Sequence, residues 1–347
     1  MTKNISPKQL ILPVIALFAM VSCNQKVEEA SKVDNVLLKE WTGPYGGVPS
    51  FDLMKVEDVK VAMLHGMELE MKDIEAIANN TDAPTFENTI EEMERSGAEL
   101  NRASSYYGIL SGNMSSQEFR DLQTELAPMF SEHGSKITQN EKLFQRIKTV
   151  YDTSIEKPLP ADQQRVVDLT YKRFSMNGAE LNSEQKASYA AISKELSTLY
   201  TKFSNNVLHD EENYVTYLTK EQLGGLSDGF IKSAAKIATD KGQDGKYAIT
   251  NSRSSMNPFL TYSTERELRE QVWTNYYSRG DNGDEYDNNK LIAEILRLRR
   301  QKVEILGYKN YAEWRLQDRM AKTPENAIGL MEAVWPAAIG RVAEEVA

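Results

Sequence analysis

Histidine is the residue type through which this chain would most readily hold a catalytic metal, and the chain has three: His65, His133 and His209. A zinc-binding helix usually offers two histidines four residues apart, because that spacing puts both imidazoles on one face. None of the three has a second histidine at that spacing. The acidic residues 210–212 follow His209 directly, and adjacent side chains on a helix point in different directions. We therefore predict no metal site and no catalytic residue in this chain, and we interpret 209–212 as a solvated helix end.

Two acidic turns offer part of a calcium-binding loop. In 240–246 the aspartates and a glycine are correctly spaced, but position twelve is Asn251, where a bidentate Glu is required. In 281–285 the glycine is at the wrong position. We interpret the first as a tight turn leading into a strand and the second as a loop between two helices.

The N-terminal segment has the pattern of an export signal. Lys3 and Lys8 precede an apolar run over 10–21, which is too short to span a bilayer, and Ser22 and Cys23 follow. The only cysteine in the chain thus occupies the position that resembles the lipid-modified cysteine of bacterial lipoproteins. We predict a signal peptide over 1–22, lipidation at Cys23 and a polar tether over 23–40. The protein would then be anchored to a membrane of the bacterial cell envelope, facing the periplasm or the exterior. The alternative is a plain secretory signal with a leftover thiol.

Composition excludes several classes of protein. Charged residues make up 27% of the chain and hydrophobic residues 40%, which is typical of globular proteins. The length of 347 residues is enough for about two domains. The net charge of -10 argues against a nucleic-acid partner, because phosphate binding needs a clustered basic surface. A single cysteine also excludes an internal disulfide framework.

Hydrophobic periodicity predicts a mainly α fold with a small β element near 214–250. Strand-like composition is confined to 214–218 and 247–250. Elsewhere, apolar residues recur every three or four positions. The helix from Val56 has the stripe Val59, Ala62, Met63, Gly66, Met67, Ile74, Ile77 and Ala78, and the helix after Asn182 has Tyr189, Ile192, Leu196, Leu199, Phe203 and Val207.

The two last long helices have apolar faces that need partners. The helix over 287–306 has two adjoining apolar rows, which predicts packing against two neighbours. The final helix begins at Thr323 and Pro324 and places Ile328, Met331, Trp335, Ile339, Val342 and Val346 on one face. It reaches the last residue without a stop signal. We therefore expect the isolated chain to be incomplete as a folding unit and to associate.

Short motifs are spread over both halves of the chain. In the second half they are Trp273, Tyr276, Tyr277, 278–283, 287–288, 296–299, 306–309, 311–312, 318–325 and 335–337. In the first half they are 84–89, 94–97, 126–128, 143–144 and 178–181. Together these motifs resemble the thimet oligopeptidase and oligopeptidase A family of zinc metallopeptidases, most closely its peptidyl-dipeptidases. The resemblance thus covers most of the chain after residue 40.

The resemblance implies a helical clamshell in which two lobes enclose a deep channel and short peptides are cut, with dipeptides released from the C-terminus by the peptidyl-dipeptidases. The family's zinc is held by a His-Glu-x-x-His helix on the lobe built from the second half. No position here matches that motif. Zinc is therefore expected in the full-length enzyme and not on this chain, whose partners would be peptide substrates and the missing C-terminal catalytic lobe.

Within this framework we predict a helical N-terminal lobe over 41–250 and the start of a truncated peptidase domain over 251–347. Two other interpretations of the sequence stay open. The chain could be a complete, non-catalytic helical lipoprotein that binds peptides or a partner protein. It could also be a helical scaffold without any ligand, because a fold does not fix a function.

Overall fold

The computed structural model describes residues 33–44 and 46–347. The predicted signal peptide and Cys23 lie outside the described residues. The chain divides into 1–34 and one compact unit over 35–347. None of the helices in the described ranges is long and apolar enough to cross a membrane.

The compact unit is mainly α-helical, as the sequence predicts. Its helices are α1 (Val56–Ala78), α2 (Glu92–Arg95), α3 (Ala98–Asn113), α4 (Gln117–Thr138), α5 (Glu141–Glu156), α6 (Ala161–Met176), α7 (Ser183–Asn213), α8 (Asp228–Asp240), α9 (Arg253–Tyr262), α10 (Arg266–Tyr277), α11 (Asn289–Ile305), α12 (Tyr311–Leu316) and α13 (Pro324–Val346). Single turns of 3-10 helix occur at Val36–Leu38 and Lys220–Gln222, and a π-helical turn over Phe86–Glu91 precedes α2.

The β element is a two-stranded antiparallel sheet of β1 (Val215–Leu218) and β2 (Tyr247–Thr250), with Val215 opposite Thr250 and Leu218 opposite Tyr247. Both strands were predicted within one residue. The glycine-containing segment 240–246 is the turn between α8 and β2, as interpreted from the sequence. The sheet packs with α8, α9 and α10 around a small core that contains Leu218, Ile249 and Phe259.

Local capping residues explain where two of the helical segments begin. Thr85 accepts a hydrogen bond from the Asn88 backbone, and the Asn88 side chain accepts one from the Thr85 backbone. Asn182 and Gln185 make the same reciprocal pair at the start of α7. Each pair satisfies two backbone donors that a helix leaves free at its first turn.

The main core lies between α1, the π-helical turn, α5 and α6. All eight residues of the predicted α1 stripe are buried. Ile74 and Ile77 of this stripe join Ile90, Ile147 and Phe174 in one apolar cluster. Along its middle, α7 packs its stripe against α11 through Leu196, Ile295 and Leu298.

The two helices that were predicted to need partners, α11 and α13, differ in how much of their apolar faces is buried by neighbouring elements. In α11, Ile295 and Leu298 face α7, while Val303 packs with Met176 and Trp314. The start of its second apolar row, Ile292 and Leu296, is exposed, so two-sided packing holds only for part of the helix. In α13, all the predicted face is exposed.

Candidate functional site

The end of α7 forms a buried polar centre with the loop 278–288. Asp210 has 0% of its surface exposed. Its Oδ2 accepts hydrogen bonds from the Gly280 backbone N–H at 2.7 Å and from the Asn282 side-chain amide at 2.8 Å. The interpretation of 209–212 as a solvated helix end is therefore wrong at Asp210. The loop folds back over the last turns of α7, and this contact joins residues 70 positions apart.

Asn288 anchors the other end of the loop. Its side-chain amide donates to the Phe203 carbonyl at 3.1 Å, and its side-chain oxygen accepts from Asn206 at 2.9 Å. Its backbone N–H donates to the Gly280 carbonyl at 2.7 Å. Gly280 itself has φ +73°, and a Cβ there would lie 2.7 Å from the Asn288 amide nitrogen. Only glycine fits this position without displacing Asn288.

A third asparagine ties the sheet to the same centre. Asn251 follows β2, is buried, and donates to the carbonyls of Asp210 at 3.2 Å and Asn275 at 3.0 Å. On the outer side, Arg279 lies 3.8 Å above the Tyr276 ring and pairs with Glu211 at 2.8 Å. The polar centre thus joins α7, β2, α10 and the start of α11.

A polar cleft of about 370 Å³ opens beside this centre. The His209 ring stacks on the Tyr286 ring at 3.4 Å, and Arg120 of α4 pairs with Glu212 at 3.1 Å. The rest of the lining is Gln117, Asp121, Asn205, Asn206 and Asn213. Such a surface can hydrogen-bond a polar ligand. The Asp210 carboxylate already accepts hydrogen bonds from the Gly280 backbone and the Asn282 side chain. Its role is therefore structural: it positions the loop 278–288.

The histidines are dispersed over the structure. His133 of α4 pairs with Glu70 of α1, and His65 lies 4.0 Å from Glu68 on its own helix. His209 has its Nδ1 3.4 Å from Asp210 Oδ1. Within residues 33–44 and 46–347, no three His, Cys, Asp or Glu side chains come together as a metal site requires. The described residues therefore do not fit a catalytic zinc ion.

The spacing of residues along α7 indicates that Asp210 could be buried, although its acidic neighbours Glu211 and Glu212 suggest a solvated segment. Tyr189, Leu196, Phe203 and Asp210 are spaced by seven, so they fall on one face of α7. Aspartate is rarely fully buried unless it is paired, so its place on this apolar face indicates burial only if donors from another part of the chain reach it. Asn206 lies on the same face for the same reason. The partners Asn251, Asn282 and Asn288 carry no comparable signal.

Comparison with known proteins finds two recognised regions in this chain, and the polar centre extends from the segment between them into the second. The profile of the neurolysin and thimet oligopeptidase N-terminal domain matches residues 61–186, and that of peptidase family M3 matches residues 259–347. The chain is related to the M3 peptidases. The resemblance described from the motifs is thereby confirmed. Residues 203–251 of the polar centre lie between the two matches, and residues 275–288 lie inside the second.

Curated relatives agree with this relation. The dipeptidyl carboxypeptidase of Escherichia coli (strain K12) is 30% identical over 314 residues, which cover 90% of this chain and 46% of that protein. Oligopeptidase A of Salmonella typhimurium is 27% identical over 289 residues, which cover 82% of this chain and 42% of that protein. The chain therefore spans a little under half the length of these relatives.

Proposed function

We propose that this chain is the N-terminal part of a zinc-dependent peptidyl-dipeptidase or oligopeptidase that cleaves short peptides. The observation that carries the proposal is the similarity to a dipeptidyl carboxypeptidase across 90% of the chain. The zinc ion and the groups that activate water would be supplied by sequence other than these 347 residues. The two predicted domains, 41–250 and 251–347, stay a prediction.

In such an enzyme the Asp210 centre has a positioning role. It fixes the loop 278–288 and therefore the start of α11 on α7. Catalysis on a peptide bound between two lobes requires each lobe to be held rigidly, because displacements of about 1 Å already lower rates. A buried, fully hydrogen-bonded network is suited to this task.

The decisive experiment uses the protein made in its native cells. Antibodies to this chain would recover it for mass determination, zinc analysis and assay on blocked tetrapeptides. We expect a polypeptide well above the 39.3 kDa of these residues, about one zinc per molecule, and released C-terminal dipeptides. The 347-residue chain produced alone is expected to bind no stoichiometric zinc and to cleave none of these peptides. Native protein of 39.3 kDa or less, without zinc or activity, would contradict the proposal.

The alternative is a non-catalytic helical lipoprotein that binds peptides or a partner protein. The observation that favours it is the polar cleft at Arg120, His209 and Tyr286, which offers hydrogen-bonding groups without a metal site. Peptide binding by a native protein of 39.3 kDa or less, lost in Arg120→Ala, would support this alternative.

We also propose that Cys23 is lipidated and anchors the protein to a bacterial envelope membrane. The support is the sequence pattern alone: two lysines, an apolar run over 10–21, and the single cysteine after Ser22. Mass spectrometry of the mature N-terminus should find acylated Cys23, and Cys23→Ser should release the protein from membranes. An unacylated N-terminus at another residue would contradict this.

A further inference from the structure

A second cleft, near the opposite end of α7 from Asp210, lies where α1 ends and where α5 and α7 begin. Its volume is about 840 Å³, within the usual range for small-molecule sites. Three buried apolar residues, Ala78, Phe144 and Ala179, contribute to its wall. The remaining lining is polar or charged apart from Leu181: Glu141, Lys142, Gln145, Lys148, Glu180 and Lys186. The cleft thus combines an apolar wall with several ammonium groups.

Lys186 is the unusual member of this lining. The residue is only 8% exposed, although lysine is rarely buried. Its Nζ lies 3.2 Å from Glu141 Oε1, and the Glu141 side chain is 74% exposed. An ammonium group has three N–H donors, so one carboxylate oxygen leaves others for a ligand. The buried charge is therefore paired with an exposed carboxylate, which a second carboxylate could replace.

The surroundings of Lys186 favour an anion. Lys142 donates to the neutral amide oxygen of Asn79 at 2.7 Å, so no carboxylate neutralises it there. Lys148 pairs with Asp152, while Glu180 accepts from the Tyr171 hydroxyl at 2.9 Å. The N-termini of α5 and α7, which carry partial positive charge, also lie at the cleft. Lys148 and Lys186 each have a carboxylate partner, so Lys142 is the lysine of this lining whose ammonium group is bound only by a neutral oxygen.

We propose that this cleft binds a small monocarboxylate whose carboxylate pairs with Lys186, displacing Glu141, and whose apolar group lies against Phe144 and Ala179. A fatty acid and the C-terminus of a short apolar peptide share this chemistry. The proposal does not depend on peptidase activity. Its basis is the juxtaposition of a buried ammonium group, an exposed internal carboxylate and an apolar wall.

Two pairs of probes test the proposal and separate the sources. Octanoate and N-acetyl-Leu-Phe are compared with octanamide and N-acetyl-Leu-Phe amide, by calorimetric titration of the whole chain. We expect each acid to bind about tenfold more tightly than its amide, because a charge-assisted hydrogen bond is lost in the amide. The tighter of the two acids identifies the source. Equal binding of acid and amide would overturn the proposal, since it would reflect association with exposed apolar helix faces.

Two variants with opposite expected effects locate the binding. Lys186→Met should weaken acid binding about tenfold and leave amide binding unchanged. Glu141→Gln removes the competing carboxylate and should tighten acid binding about threefold. Lys194→Met is the matched control, since Lys194 is an exposed lysine on the same helix that pairs with Glu132.

The Glu141→Gln result keeps the test valid if Lys186→Met does not fold, which circular dichroism would show. Unchanged or weaker acid binding by Glu141→Gln would then refute the proposal. A loss of acid binding in Lys194→Met as strong as that in Lys186→Met would refute it as well.

Discussion

Helices α7 and α13 have similar local sequence signals but differ in how far their apolar faces are buried. Both are long, 31 and 23 residues, and each begins with a side-chain cap, Asn182 or Thr323. Each has an apolar stripe at helical spacing. In α7 the stripe is covered by α4 and α11 and continues into the buried Asp210. In α13 no residue is buried, and Trp335 is 65% exposed.

The difference shows that a helix and its burial have separate causes. Capping and periodicity decide whether a segment can be a helix with one apolar face. Whether that face stabilises the fold depends on another element reaching it. An exposed apolar face along a helix, such as that of α13, promotes association. The packed and unpacked helices should therefore respond differently to matched changes.

The largest expected effect is that of creating a cavity in the interface between α7 and α11. Leu196→Ala removes a buried side chain between α7 and α11 and should lower the free energy of unfolding by about 3 kcal/mol. The matched change Ile339→Ala in α13 should alter it by less than about 0.5 kcal/mol, because Ile339 is exposed. Urea unfolding of both variants measures the contrast. Equal losses would mean that α13 is packed in solution.

The second prediction concerns the polar end of α7. Asp210→Ala leaves the Gly280 N–H and the Asn282 amide without their acceptor and should cost about 2–3 kcal/mol of unfolding free energy. Hydrogen exchange at Gly280 should also become faster. Asp240→Ala is the control, because Asp240 is exposed and pairs only with Lys236 at a helix end. A stability equal to that of the control would remove Asp210 from its positioning role.

The third prediction uses the buried amine of α11. Burial lowers the pKa of Lys302 to about 8, while the rings of Tyr189 at 4.6 Å and Trp314 at 5.6 Å favour its charged form. The unfolded chain, with a lysine pKa near 10.5, then binds more protons than the folded chain between pH 8 and 10.5, so stability due to this group rises with pH there.

Lys302→Met removes this dependence. The free energy of unfolding of the variant relative to the unsubstituted chain should therefore fall by about 2–3 kcal/mol between pH 7 and pH 10. Tyrosine titration contributes equally to both proteins and cancels in the difference. Urea unfolding at the two pH values gives the four required measurements. A pH-independent difference would show that Lys302 keeps its ordinary pKa.

The smallest energies are expected in α13 itself. Its backbone amides should exchange with opening free energies near zero to about 1 kcal/mol, whereas amides in the middle of α7 should approach the global value. Light scattering should show oligomers of the isolated chain, and Trp335→Ala should reduce them. A monomer whose α13 amides are as protected as those of α7 would favour the complete, non-catalytic lipoprotein.

The sequence by itself determined the features that depend on near neighbours. The caps at Thr85 and Asn182, the α1 stripe and the two short strands depend on residues within about one or two helical turns. The motifs from Trp273 to Trp335 similarly revealed the family, because each motif consists of residues that are close together in the sequence. The absence of paired histidines could also be established without coordinates.

Only the tertiary structure decided which polar residues are buried and which apolar faces are covered. Asp210 meets Gly280 from 70 residues away, and Lys186 meets Glu141 from 45 residues away. The exposure of Ile292, Leu296 and Trp335 likewise depends on what fails to reach them within the described chain. The physical reason is that burial and charge pairing are properties of distant elements brought together, and no local period encodes the partner.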